Sequence, residues 1–204
     1  SVYDLAKPEI AKLFDADGDG LGEYWPGAPG WTGVKINQIK AKSYGFDKYF
    51  EPIIVSDSII KAQLKTAYRK KEGILFYYWT PEWIHFAYDL RKLDEPAFTG
   101  YAGDSKKLHK DYNPDGCYKF SDTENWLQDS DIKCGVPNTE IYIGYSASLE
   151  KRAPEIAEFL SNVSLDASYV SQWIFKIASE GEYPDEMAEE WVKNNAAIVD
   201  TWLP

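Results

Sequence analysis

The sequence has 204 residues, enough for one large or two small domains, and its hydrophobic fraction of 44% is sufficient for a packed core. Its formal net charge of −11 repels phosphate groups, so neither nucleic acid nor an anionic membrane is an expected partner. No apolar run reaches the about 18 residues that a membrane span needs, and the first residues lack the basic and apolar regions of a secretory signal.

Helix and strand patterns alternate in the first part of the chain. Apolar residues recur at helical spacing in three segments: residues 1–14, 31–41 and 60–68. Short apolar runs at residues 53–55 and 74–79 predict buried strands, and Gly73 is expected to end the third helix. Because strands that alternate with helices form βαβ units, the pattern predicts an α/β fold with a mainly parallel sheet.

The second part of the chain begins with a long polar segment. Residues 99–134 contain Gly, Asp and both cysteines, and we expect an ordered excursion from the sheet there. Residues 139–145 alternate between apolar and polar side chains, which predicts a strand. The apolar spacing of the remainder predicts helices up to the C-terminus.

The sequence lacks the motifs of common enzyme classes. GxSxG, HExxH, the phosphate-binding P-loop and GxGxxG are all absent from it. The two histidines, His85 and His109, lie far apart in the sequence, and we expect both to be structural or solvated. A hydrolase with a carboxylate pair stays open, since the chain has 33 acidic residues and no spacing singles out one pair.

An acidic loop follows the first predicted helix and matches the first nine positions of an EF-hand calcium loop. The calcium ligands would be the carboxylates of Asp15, Asp17, Asp19 and Glu23 and the carbonyl of Leu21. The bidentate glutamate of the twelfth position is missing, because that position is Pro26. A structural calcium ion and a solvated turn without metal are therefore both open.

Two tryptophans mark a candidate binding site. Trp31 stands where an extended segment enters a helix, so the backbone amides of Thr32 and Gly33 are expected to be free for an anion. Trp79 is the last residue of the buried apolar run, and ligands of open α/β sheets bind at the carboxyl ends of strands. Indole faces attract quaternary ammonium groups, so this set suits a zwitterion. Plain packing of both rings is the alternative.

The two cysteines, Cys117 and Cys134, have two interpretations. In a reducing compartment they are small apolar residues. In an oxidising compartment a disulfide would close a loop of about 17 residues and stabilise the fold by about 3 kcal/mol. Their spacing is not that of a CxxC redox or zinc pair.

These motifs resemble the glycine betaine/proline betaine-binding proteins of ABC transporters. The resemblance is carried by residues 7–15 (KPEIAKLFD) with the acidic loop, by the Pro29-Gly30-Trp31 motif and by the Tyr78-Trp79-Thr80-Pro81 motif, with further likeness at residues 88–96 and 191–202. It extends over essentially the whole chain.

The resemblance implies a type II periplasmic-binding-protein-like fold, in which a lobe with a mainly parallel sheet is flanked by helices. Residues 1–134 would form ligand-binding lobe II, and residues 135–204 would form the C-terminal part of lobe I. Family members are usually longer, so the chain is expected to correspond to their C-terminal two-thirds and to lack the N-terminal part of lobe I. A third tryptophan of the ligand cage would lie in that part.

The resemblance also implies a function and a set of site residues. Trp31 and Trp79 match the cage tryptophans, Thr32 and Gly33 match the positions whose amides hold the ligand carboxylate, and Glu82 is either a rim residue or a direct partner of a cation. We expect a solute-binding protein, not an enzyme, that binds a methylated amine such as glycine betaine or proline betaine and delivers it to a membrane permease.

Alternatives are a binder of choline, carnitine or a sulfonium analogue and, in another class, an extracellular carbohydrate-binding or hydrolytic domain. No cofactor is required beyond the calcium considered above. The implied location is periplasmic or otherwise extracytoplasmic, which favours the disulfide between Cys117 and Cys134.

Overall fold

The computed structural model describes residues 1–137 and 141–204, and these form two compact units. Unit 1 consists of Ser1–Tyr78 and Arg91–Pro137, and unit 2 consists of Trp79–Leu90 and Asn138–Pro204. Trp79–Leu90 groups with unit 2, although the resemblance implies that it belongs to the same lobe, lobe II, as the rest of residues 1–134. Which unit corresponds to which lobe stays a prediction.

The first helical segment of unit 1 is broken into two short pieces, where the sequence predicted one helix over residues 1–14. A 3₁₀ helix spans Val2–Ala6 and helix α1 spans Pro8–Ala11. Pro8 explains the break, because proline disfavours helical backbone in the residue before it, and Lys7 is extended at φ −104° and ψ 126°.

A parallel sheet forms the centre of unit 1, in agreement with the prediction. Its strands are β1 (Gly22–Trp25), β2 (Phe50–Pro52) and β3 (Leu75–Phe76), and β1 lies between the other two and parallel to both. Helices α2 (Thr32–Tyr44) and α3 (Asp57–Lys70) connect the strands as βαβ units.

Both outer strands differ in extent from the prediction. The strand expected at residues 53–55 lies three residues earlier, at Phe50–Pro52, although the Ile53 amide still donates to the Tyr24 carbonyl over 2.8 Å. The Val55 carbonyl accepts a hydrogen bond from the Trp25 indole N–H at 3.0 Å. The apolar run at residues 74–79 forms a strand only at Leu75–Phe76.

Helix α3 ends without the glycine that was predicted to stop it. Its last turn is closed by Lys71, which has a left-handed backbone at φ 60°. Glycine is required at position 73 for another purpose than ending the helix. A Cβ atom there would lie 2.4 Å from the Leu13 carbonyl oxygen, so only glycine permits this close approach of two backbone segments.

The excursion at residues 99–134 contains a second small sheet. Its strands are β4 (Tyr101–Ala102), β5 (Tyr118–Lys119) and β6 (Asp131–Ile132), with helix α5 (Trp126–Asp129) between the last two. Strand β5 pairs parallel to β4 and antiparallel to β6. Cys117 and Cys134 are joined as a disulfide beside this pairing, and Cys134 packs with buried Ile39 of α2.

Unit 2 is helical in its described residues, as the sequence predicted for the C-terminal part. Its helices are α4 (Ile84–Ala87), α6 (Leu149–Arg152), α7 (Pro154–Asn162), α8 (Ala167–Phe175), α9 (Pro184–Asn194) and α10 (Ala196–Asp200). Part of the strand predicted at residues 139–145 lies outside the described residues, and residues 141–145 form no strand. In residues 1–137 and 141–204, no helix has both the length and the hydrophobicity of a membrane span.

Candidate functional site

The N-terminus of α2 lies at the carboxyl end of the central strand β1. The chain leaves β1 at Trp25, passes through the Pro26–Gly30 loop and enters the helix at Thr32. Trp31 is the residue that precedes the helix and has an extended backbone at φ −76° and ψ 137°. This is the edge of a parallel sheet where ligands of α/β proteins bind.

The first turn of α2 has two free backbone donors. Val34 N–H donates to the Trp31 carbonyl at 3.1 Å, whereas the N–H groups of Thr32 and Gly33 donate to no group within residues 1–137 and 141–204. The first turn carries no acidic residue, and the side chain of Trp31, the residue before the helix, makes no capping hydrogen bond to it. The positive end of the helix dipole is thus free to attract an anion, as predicted from the sequence.

Aromatic rings lie beside these donors. The Trp31 ring meets the buried Trp25 ring edge to face, with 5.5 Å between centroids and an interplanar angle of 70°. A Cβ atom on Gly33 would lie 3.3 Å from Cε1 of Tyr77, so the phenol ring approaches the second residue of the helix closely. Tyr77 is 38% exposed.

Sequence reasoning missed Tyr77 as a site residue. The apolar run at residues 74–79 predicts a strand covered on both faces, in which only the last ring, that of Trp79, is expected to reach a ligand at the end of the sheet. The only available signal was the position of Tyr77 two residues before Trp79, since alternate residues of an extended chain point to the same side.

The loop before α2 contains two glycines with positive φ, and one of them also packs tightly against the helix. Gly27 has φ 138°, and a Cβ atom there would lie 3.3 Å from Val34 Cγ2 and 3.4 Å from Trp31 Cε3. The loop is further fixed by Asn37, whose Nδ2 donates to the Pro26 carbonyl at 2.9 Å. The loop backbone is therefore held against the first turns of the helix that presents Thr32.

The other two predicted ligand residues belong to unit 2. Trp79 is 41% exposed, and its carbonyl accepts a hydrogen bond from His85 Nε2 at 2.8 Å. The Glu82 carboxylate accepts from the Trp83 amide at 2.7 Å, close to the start of α4. Because Trp31 belongs to unit 1 and Trp79 to unit 2, the pairing of their rings around one ligand stays a prediction.

Three of the predicted calcium ligands come together in the acidic loop. Carboxylate oxygens of Asp15, Asp17 and Asp19 lie within 4.8 Å of one another. Glu23, in contrast, lies in β1 and accepts from the amides of Ala16 at 2.8 Å and Asp17 at 3.2 Å. Calcium binding with Glu23 and Leu21 as further ligands stays a prediction.

Comparisons with known proteins agree on one family. A family model described as the substrate binding domain of an ABC-type glycine betaine transport system, OpuAC, matches residues 1–194. The glycine betaine/proline betaine-binding periplasmic protein of Salmonella typhimurium is 29% identical over 84 residues, which are 41% of this chain and 25% of that protein. The glycine betaine-binding periplasmic protein OusX of Dickeya dadantii is 28% identical over 80 residues, or 39% of this chain and 24% of that protein.

Solved structures share the fold at low sequence identity. The glycine betaine, L-proline-binding protein ProX of Borrelia burgdorferi has a TM-score of 0.53 at 18% identity, over 100% of this chain and 61% of that chain. Lactococcal OpuAC, solved in complex with glycine betaine, has a TM-score of 0.52 at 18% identity, over 89% of this chain and 57% of that chain. These similarities confirm the predicted type II periplasmic-binding-protein-like α/β fold.

The matched regions cover only part of these proteins. The chain spans about a quarter of each curated relative, and 57% and 61% of the two solved chains. A choline-binding protein of an ABC transporter, solved in complex with choline, has a TM-score of 0.51 at 17% identity over 98% of this chain and 56% of that chain. Among these solved structures, the same fold therefore occurs in a protein that binds glycine betaine and in one that binds choline.

Proposed function

Because the chain belongs to the family of substrate-binding domains of ABC-type glycine betaine transport systems, we propose that it binds a small quaternary-ammonium zwitterion such as glycine betaine or proline betaine. The family consists of solute-binding components and not of enzymes. The observation that carries the choice of a zwitterion is the first turn of α2, where two unused amides lie beside Trp31 and Tyr77.

The carboxylate of the ligand binds to the amides of Thr32 and Gly33 in this proposal. Each hydrogen bond to a charged group contributes about 1.5–3 kcal/mol, and the dipole of the 13-residue helix adds to it. No acidic side chain stands in the first turn to compete for the amides or to repel the carboxylate.

The methylated cation binds against aromatic faces. Trp31 supplies one face from unit 1, and Trp79 supplies a second from unit 2. Each ring contributes about 0.5–2 kcal/mol, more when water is excluded from it. Two rings together supply less than the about 8 kcal/mol of a micromolar complex, so the carboxylate contacts and the third ring that the resemblance implies must supply the rest.

Choline, carnitine and sulfonium analogues are the alternative ligands. Choline has the cation but no carboxylate, so it makes no use of the Thr32 and Gly33 amides. A preference for choline would instead draw on an acidic group such as Glu82. We further propose that the protein acts outside the cytoplasm, as the Salmonella and Dickeya relatives are periplasmic, and delivers its ligand to a membrane permease.

Titration calorimetry of a proline variant tests the carboxylate site. Thr32→Pro deletes one of the two free N–H groups at the first helical position, where proline is well tolerated. Trp31 already has the extended backbone that the residue before proline prefers. We expect glycine betaine affinity to fall about tenfold or more, because one charged hydrogen bond is lost.

The matched control places proline at the same position of another helix. Ala167→Pro changes the first residue of α8, which follows Asp166 with an extended backbone at φ −67° and ψ 136°. This variant is expected to bind glycine betaine like the wild type. Wild-type affinity in Thr32→Pro, or an equal loss in both variants, would contradict the proposed carboxylate site.

A further inference from the structure

A carboxylate at the start of α3 holds one tyrosine ring of unit 1. Tyr78 Oη donates to Asp57 Oδ1 at 2.5 Å, and Asp57 Oδ2 pairs with Lys61 Nζ at 3.0 Å, one helical turn away. Lys61 Nζ also lies 5.5 Å from the centre of the Tyr78 ring. Burial and the Asp57 hydrogen bond raise the pKa of Tyr78 above its ordinary value, so the phenol stays a donor.

The Tyr78 ring supports a buried tryptophan. It stacks on Trp25 with 5.9 Å between centroids and an interplanar angle of 25°. Trp25 is 1% exposed, and its indole N–H donates to the Val55 carbonyl at 3.0 Å. The ring of Trp25 is thus fixed by a hydrogen bond at its edge and by Tyr78 on one face.

Trp25 is in turn the neighbour of the candidate ligand residue Trp31, which it contacts edge to face at 5.5 Å. A continuous series of contacts therefore runs from Asp57 through Tyr78 and Trp25 to Trp31. Tyr78 also directly follows Tyr77, whose ring approaches Gly33.

From these contacts we infer that Asp57 is a positioning residue of the ligand site, which acts by holding Tyr78 against Trp25 and thereby fixes the Trp31 indole. The inference rests on the proposed function, because it concerns the same site. Asp57 itself touches no ligand and acts only through the rings.

Tyr78→Phe removes the hydroxyl group that Asp57 holds and retains the ring. We expect the affinity for glycine betaine to fall about three- to tenfold. Asp57→Ala is expected to cause a similar loss, whereas Asp57→Asn should restore most of the affinity because its amide oxygen still accepts the phenol hydrogen bond. When Asp57→Ala and Tyr78→Phe are combined, the loss should not exceed the larger single loss, because both changes remove the same hydrogen bond.

A second tyrosine–carboxylate bond in unit 1 supplies the matched control. Tyr44 Oη donates to Glu95 Oε1 at 3.1 Å, and Tyr44 belongs to a different buried cluster from Trp25. Tyr44→Phe removes the same type of hydrogen bond, so it should lower the melting temperature comparably and leave the affinity at the wild-type value.

Titration calorimetry and thermal unfolding of this series separate the outcomes. If Tyr78→Phe and Asp57→Ala both bound glycine betaine with wild-type affinity and only their melting temperatures fell, Asp57 would have no positioning role. The proposed function would then remain intact. An equal loss of affinity in Tyr44→Phe would overturn the positioning role as well. If the wild type bound no glycine betaine, the proposed function would fail and the inference with it.

Discussion

Two helices of unit 1 follow neighbouring strands of the same parallel sheet, but their first turns differ in charge. Helix α3 begins with Asp57, which meets the positive end of its own helix and also binds Lys61 and Tyr78. Helix α2 begins with Thr32 and Gly33 and has no acidic residue in its first turn. The positive end of α3 is thus neutralised by a side chain of the same chain, whereas the positive end of α2 remains for an external anion.

An acidic residue at the start of α2 would make its first turn resemble that of α3. In Thr32→Asp the new carboxylate repels the ligand carboxylate and competes for the free amides, so glycine betaine affinity should fall about 10- to 100-fold, or about 1.4–2.7 kcal/mol. The same charge should stabilise the helix by about 0.3–1 kcal/mol. Titration calorimetry and urea unfolding measure the two opposite changes.

The control for this variant is Thr32→Asn, because the asparagine side chain has nearly the same size as that of aspartate and carries no charge. Its affinity should stay well above that of Thr32→Asp. If both variants lost affinity equally, the effect would come from the shape of the side chain, and the comparison of charge between the two helices would not hold.

Removing the acidic residue of α3 is the converse change and should have a smaller effect. Asp57→Ala leaves the Tyr78 hydroxyl and Lys61 without this acceptor, and we expect a loss of about 1–2 kcal/mol in the free energy of unfolding. Asp122→Ala is the control, since its ion pair with Lys35 at 2.9 Å is exposed and should contribute less than about 1 kcal/mol. Equal losses in the two variants would show that Asp57 has no special role in α3.

The local parts of this site could be predicted from the sequence. The Pro-Gly-Trp motif followed by helical spacing predicted that Trp31 precedes a helix and that the amides of Thr32 and Gly33 are free, because both follow from the geometry of any helix start. The parallel sheet followed from the alternation of apolar runs and helical segments.

The long-range parts could not be predicted. Nothing local in the sequence joins Tyr78 to Asp57, which is 21 residues earlier, or brings the Tyr77 ring to Gly33. The end of α3 at Lys71 also escaped prediction, because the backbone of a non-glycine residue adopts the left-handed conformation there, and Gly73 is needed instead for its approach to Leu13. Tertiary contacts decide these positions.

Amide NMR spectra of the protein during titration test most directly whether the start of α2 holds the ligand carboxylate. With glycine betaine, the N–H signals of Thr32 and Gly33 should move saturably, as expected when they begin to donate to a carboxylate. With choline, which has no carboxylate, they should move far less. Saturable binding of glycine betaine that left both signals in place would contradict the account.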